Sequence, residues 1–187
     1  MGSVGIKRVY YKSAFIARII WNRLFVGLIV ERVNLLSILL SMNDSEKNDL
    51  FYVCSLIEYV ARVTKNKRGV VANCLGHNGV VKELKDAGVN HSLSFEQVGE
   101  EVVERYKIPR GNFETVKNCK YSVPSYTDIG RLYSIMVLDC AKPGEEVDMT
   151  IKIFSSVISD YISNFNSDCY YQNPSYLEES FKAGKLL

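Results

Sequence analysis

Between residues 50 and 61 the apolar side chains of Leu50, Val53, Cys54, Ile57, Val60 and Ala61 return every three or four positions. That period belongs to one face of an α-helix. It recurs in Phe95, Val98, Val102 and Tyr106, in Ile129, Leu132, Tyr133, Met136 and Cys140, and in Val147, Ile151, Phe154, Val157, Ile158, Tyr161 and Phe165. From Ser45 onward the pattern is helical almost throughout, which restricts this part of the chain to an all-α architecture.

Capping and breaking residues divide the pattern. Asp44 or Ser45 caps a first helix that runs to about Lys65, where Asn66, Lys67, Arg68 and Gly69 make a break. A short helix with Val70, Val71, Cys74 and Leu75 stops at Gly76. A third runs from Gly79 to Gly88, and 89–93 reads as an extended connection. Ser94 with Gln97, and Ser125 with Asp128, have capping-box spacing, in which hydroxyl and carboxyl or amide each satisfy the other's backbone N–H. Pro143-Gly144 is a turn, and the longest helix is expected over 145–165. A polar, aromatic loop at 164–172 precedes Asn173-Pro174, a cap followed by proline at the first helical position, and a last helix ends at Gly184. The reading is an irregular bundle of about seven helices in two halves. Residues 42–108 form one subdomain, residues 109–124 a linker rich in Pro, Gly and Asn, and residues 125–187 the other.

Residues 1–41 differ in kind. Of the 23 Lys and Arg and 21 Asp and Glu in the chain, this segment holds Lys7, Arg8, Lys12, Arg18, Arg23 and Arg32 against Glu31 alone, leaving the remainder at a net charge of −3. A spanning helix needs roughly 18–20 predominantly apolar residues. Here Arg18, Arg23, Glu31 and Arg32 interrupt every apolar stretch, and each charge near a bilayer centre costs about 2.5–3.5 kcal/mol. No small-residue cleavage site follows the apolar run, so a signal peptide fits no better. Three readings stand: a basic amphipathic helix lying on a membrane surface or a partner, an added core helix, or a segment upstream of a natural start at Met42-Asn43-Asp44-Ser45.

The body offers little chemistry. Five scattered cysteines (Cys54, Cys74, Cys119, Cys140, Cys169) form no C-x-x-C pair, and Cys54, Cys74 and Cys140 fall on apolar stripes. They read as small hydrophobes in a reducing cytoplasm. The two histidines, His77 in a Gly-His-Asn-Gly turn and His91 in the extended connection, have no carboxylate or nucleophile at a local spacing. No cofactor, metal or catalytic residue is assigned. Gly69, Gly76, Gly79 and Gly88 do not form a phosphate loop. A helix-turn-helix reading around Ala72 and Gly76 fails at Lys82, which falls where an apolar residue is needed. The nucleic-acid alternative rests on Lys67, Arg68, Lys117 and Lys120, interleaved with Tyr106, Phe113 and Tyr121. The most unusual stretch is 165–176, where Tyr170, Tyr171 and Tyr176 stand among amides and a proline. Tyrosine brings large contact area at low entropy cost, so these three are the candidate partner-binding residues.

The stretch Leu50-Phe51-Tyr52-Val53-Cys54-Ser55-Leu56-Ile57-Glu58-Tyr59, continuing through Leu84-Lys85-Asp86-Ala87-Gly88 and Glu100-Glu101-Val102-Val103-Glu104-Arg105-Tyr106, resembles an uncharacterised family of small helical bacterial proteins. Its members are often encoded beside proteins with an ADP-ribosyltransferase-like fold, in an arrangement suggestive of toxin and antitoxin. The segment 158–167, with Tyr170-Tyr171-Gln172-Asn173-Pro174 and Ala183-Gly184, is similar to a companion region of related chains. The resemblance covers most of residues 46–187 and none of 1–41, and it implies no catalytic residue. Together with the acidic body and the tyrosines, it leads to the expectation of a non-catalytic protein-interaction module. The partner it implies is an ADP-ribosyltransferase-like toxin, which this chain neutralises or assists.

Overall fold

Asn43, one residue ahead of the expected caps, opens the first helix, α1 (Asp44–Thr64). Its side chain accepts from Glu46 N at 3.0 Å, and Glu46 Oε2 accepts from Asn43 N at 2.7 Å. This reciprocal box satisfies two N–H groups that a helix start leaves unpaired. In the computed structural model, residues 42–117 and 119–187 are described, and residues 42–187 group as one compact unit. An added N-terminal helix, and the alternatives to it for residues 1–41, lie outside the described residues.

Seven α-helices follow one another among the described residues: α1, α2 (Arg68–Asn90), α3 (Phe95–Arg105), α4 (Tyr126–Cys140), α5 (Glu146–Phe154), α6 (Val157–Ile162) and α7 (Pro174–Ala183). One turn of 3₁₀-helix at Cys169–Tyr171 lies between α6 and α7. The all-α reading holds. No helix among the described residues is long and apolar enough to cross a membrane.

The centre of the bundle is α1. Residues 52–58 are buried without interruption, so this helix is covered on every side, unlike the single-faced stripe read from its spacing. It packs lengthwise on α4 and α2, with α3 along a third side, while α5 bridges α2 and α4, and α7 rests on α4 and α6. Leu50, Leu56, Ile57 and Val60 of α1 meet Ile129, Tyr133, Met136 and Val137 of α4 in one core, which also takes in Val71, Val80, Ile153, Phe154, Ile158 and Leu177. Each fully buried aliphatic side chain contributes about 1.5–3 kcal/mol before the entropy of ordering it. The close approach of α1 and α4 needs Gly130, because a methyl group there would lie 2.6 Å from Ser55 Cα and 2.7 Å from Ser55 N.

Three boundaries differ from those read in the sequence. The break expected at Gly76 is present: its backbone (φ 61°, ψ −176°) is non-helical, in a conformation open essentially to glycine alone, and divides α2 into two helices. The second half of α2 begins directly after it, so His77, Asn78 and Gly79 are helical rather than a turn. That helix continues past Gly88 to Asn90, so most of the expected extended connection does not form. The long helix expected over 145–165 is broken at Ser155-Ser156 into α5 and α6, so that α1, at 21 residues, is the longest helix without an internal break among the described residues. Serine hydroxyls compete with the helical ladder for backbone partners. Here Ser156 Oγ donates to Ile153 O at 2.7 Å and caps α6. The break is also where α2 crosses, with Asn73 Nδ2 donating to Ser155 Oγ at 3.0 Å.

The other ends follow their chemistry. The Ser125–Asp128 box forms in full. At Ser94 only the hydroxyl half forms, accepting from Gln97 N at 3.2 Å. Asn173 caps α7, with Pro174 in its first turn and Gly184 left-handed at its end.

Two glycine substitutions separate geometry from propensity. Gly76→Ala is expected to destabilise the protein by about 1–3 kcal/mol through backbone strain. Gly88→Ala, at an exposed helical position with open space around it, is expected to stabilise it by about 0.5–1 kcal/mol. Urea unfolding midpoints measure both.

Candidate partner-binding site

The segments at 119–122 and 165–171 lie side by side, held by Lys120 N donating to Asn166 Oδ1 at 2.8 Å and Cys119 Sγ donating to Phe165 O at 3.5 Å. Between them runs a groove of about 440 Å³, lined by Tyr121, Ser122, Phe165, Asp168, Tyr170 and Tyr171 among others. Phe165 is buried and forms the floor. Tyr170 stands edge-on to it, with ring centroids 5.6 Å apart, and Tyr171 lies 4.3 Å beyond Tyr170. Tyr171 is 76% exposed and Tyr121 67%, so two aromatic rings flank the groove in solvent. Burial, and then the Tyr171 hydroxyl, raise the Tyr170 pKa.

Of the three tyrosines picked out in the sequence, Tyr170 and Tyr171 meet at this groove. Tyr176 does not line it. Its hydroxyl donates to Leu187 O and ties down the chain end. Tyr121, read in the sequence only as part of the basic linker, joins the groove instead. No local signal could pair it with residues almost 50 positions away.

The groove's floor is positioned by a buried ionic network. Glu58, in the middle of α1, and Arg68, at the start of α2, are both buried, and Arg68 donates to both oxygens of Glu58, Nε to Oε2 and Nη2 to Oε1 at 3.1 Å. Arg62 Nε donates to Glu58 Oε1 at 2.6 Å, and Arg62 Nη1 reaches Pro124 O at 2.9 Å. Arg68 Nη1 also donates to Ser163 Oγ, and to Ser159 O at 3.2 Å. The two guanidinium groups stand over the Phe165 ring at 5.0 Å and 5.8 Å, and Arg68 also over Tyr133 at 5.4 Å. One carboxylate thus pairs with both guanidinium groups, of which Arg68 is buried and Arg62 keeps a side-chain exposure of 19%. Burial works against the Arg68 charge, but Glu58 and then Tyr133 outweigh it and raise its pKa. Arg62 lines a cavity of about 20 Å³, of single-water size.

This network removes Arg68 from the nucleic-acid set, because its donors are turned inward and occupied. Lys67 is exposed but pairs with Asp160 at 2.9 Å and sits 5.7 Å from the Phe113 ring. Lys117 and Lys120 are exposed on the linker. The basic run at 65–68 therefore does not act as one patch. In the sequence Arg68 groups with the nucleic-acid candidates because its partner in the core, Glu58, is ten positions back in an apolar helix. The available signal was the Glu58–Arg62 spacing of four within that run.

The fold gives each histidine the carboxylate that local spacing withheld. His77 Nδ1 lies 2.6 Å from Asp148 Oδ1, and His91 Nε2 lies 3.7 Å from Asp49 Oδ1 and 3.1 Å from Asn48 Nδ2. Both rings are exposed, and His91 also packs on Tyr52 at 4.6 Å. Neither lines the tyrosine groove. Among the described residues no group of three or more His, Cys, Asp or Glu could hold a metal ion. No family model, curated protein or solved structure matches this chain.

Glu58→Gln leaves the buried Arg68 guanidinium without its carboxylate and is expected to destabilise the protein by about 3–5 kcal/mol, measured by urea unfolding. Alkali should act through the tyrosines. Burial foremost pushes Tyr52, Tyr106 and Tyr133 up to about 12. The native state therefore favours their neutral forms, and tyrosine in an unfolded chain ionises near 10. Their contribution is fully present below about pH 10 and is lost as pH rises toward about 12. Tyrosinate absorbance and unfolding midpoints, followed together across this window, check the sign.

Proposed function

We propose that this chain is a non-catalytic protein-interaction module of the cytoplasm, and that its partner seats on the groove between Tyr121 and Tyr171. The observation that carries this reading is the pair of solvent-facing rings over an aromatic floor, with Tyr171 76% and Tyr121 67% exposed. Large aromatic side chains on a pre-formed support are the usual anchors of protein interfaces, because they bury much area at little entropic cost. Phe165 and Tyr170 supply that support. The mildly acidic body, with a net charge of −3 over residues 42–187, favours a protein partner over a phosphate backbone, whose binding depends on neutralising charge. Five free cysteines support a reducing compartment. The family resemblance in the sequence gives the partner its class: an enzyme of ADP-ribosyltransferase-like fold that this chain neutralises or assists.

Co-purification of the full chain from its native host tests the reading. A stable protein partner is expected, and Tyr121→Ala with Tyr171→Ala should weaken its binding by tenfold or more while leaving the unfolding midpoint within about 0.5 kcal/mol of the parent, as for other surface changes. A monodisperse chain with no retained partner, or binding indifferent to both substitutions, overturns it. Binding to nucleic acid that falls steeply with salt and is lost on replacing Lys117 and Lys120 favours the alternative.

A further inference from the structure

A second groove, sharing no residue with the tyrosine groove, runs between α1 and α3. It has a volume of about 280 Å³ and is lined by Tyr59, Val63, Thr64, Gly99 and Val103 along its floor and walls. The floor exists because Gly99 has no side chain, since a Cβ there would lie 2.7 Å from the Tyr59 ring. Val63, in the last turn of α1, is left 49% exposed. Along the α3 edge stand Glu96, Glu100 and Glu104, one per helical turn, and all three are exposed.

These carboxylates are unlike the other glutamates nearby. Glu83 is buried and receives Arg105 Nη1 at 2.9 Å and the Tyr106 hydroxyl at 2.7 Å. Glu101 lies 3.4 Å from Arg105. None of the described salt bridges includes Glu96, Glu100 or Glu104. Among the described residues, Arg110 is the only cation lining the groove. Like charges spaced four residues apart on a helix repel, and the free chain gains nothing visible from this ridge. Burial first, and then the charges of Glu96, Tyr126 and Glu100, raise the Tyr59 pKa, in keeping with a negative field at the groove.

We infer that the α1–α3 groove is a docking site for a cationic amphipathic helix of a partner protein, its aliphatic face on Val63 and Val103 and its lysines or arginines against Glu96, Glu100 and Glu104. The pitch of one helical turn, about 5.4 Å, sets the spacing of the ridge, and a partner helix with basic residues four apart repeats it. The apolar floor supplies burial, and the ridge supplies steering and register. This surface goes beyond the tyrosine groove and stands without it.

The test uses the full chain and a synthetic peptide of about 15 residues with lysines four apart on one face and leucines on the other, a length at which an isolated helix is marginal and gains from docking. A peptide with glutamates replacing the lysines, and a scrambled peptide of the same composition, serve as comparisons, read by fluorescence anisotropy at low and high salt. The lysine peptide should bind, with an association rate that falls as salt rises. The scrambled peptide should bind at least tenfold more weakly, and the glutamate peptide should not bind. The double substitution Glu100→Lys and Glu104→Lys, and separately Val63→Ser, should each weaken binding by tenfold or more with helical circular dichroism unchanged. Tyr171→Ala should leave it unaltered, which separates this site from the tyrosine groove. No binding, equal binding of the scrambled peptide, or indifference to the groove substitutions overturns the inference. Self-association of the chain that those substitutions abolish assigns the groove to a second copy and overturns it as well.

Discussion

The carboxylate of Glu58 holds together what the rest of the fold assembles around it. It sits at the middle of the central helix, where every other neighbour along residues 52–58 is also buried, and it takes three hydrogen bonds from two guanidinium groups. Through Arg68 it reaches the start of α2, Ser159 within α6 and Ser163 at the C-cap of α6. Through Arg62 it reaches Pro124, ahead of α4. The orientation of these elements is coupled to one acid because a buried ion is tolerable only when its partners are in place. Apolar packing alone would leave the rotation of α6 far less constrained.

The same network explains why a functional surface stands where it does. Phe165 lies beneath both guanidinium groups, and Tyr170 rests on Phe165. The tyrosine groove is therefore built on a rigid base, although the segments lining it have little regular structure of their own. The linker is likewise tied to the bundle at points along its length. Gly111 N and Phe113 N donate to Thr64 O and Lys65 O, each at 2.8 Å, and Asn66 Nδ2 donates to Pro109 O at 2.6 Å. The linker read from composition is thus fastened to the end of α1. Around Tyr121 it is held by Lys120 N donating to Asn166 Oδ1 and the Tyr170 hydroxyl donating to Ser122 O.

Much of the helical pattern was legible from spacing and caps. Asn173 before Pro174, the Ser125–Asp128 pair and Gly184 each act through atoms within three or four residues, so their effect can be read locally. The boundaries that escaped were those where two elements compete or cross. Periodicity ran unbroken through Ser155 and Ser156 because Phe154 and Ile158 are both buried, yet the backbone between them turns to meet α2. The stretch after Gly76 read as a turn because it is rich in glycine and asparagine. It is helical because Gly79 and Val80 are buried within the bundle.

Of the candidate site, the tyrosines at 170 and 171 were legible as an unusual local composition, while Tyr121, the α1–α3 groove and the burial of Arg68 were not. By itself, the sequence determined the all-α class of residues 42–187, the positions of most helix ends, and the division between an apolar inside and a polar outside. Those properties depend on the 3.6-residue period and on hydrogen bonds between near neighbours. Only the tertiary structure decided which charges lie inside. Glu58 and Arg68 are ten residues apart in the chain, and Arg68 and Ser163 ninety-five. Whether a charge is solvated or buried depends on what the fold places against it, and that is set by packing across the whole chain rather than by any local run.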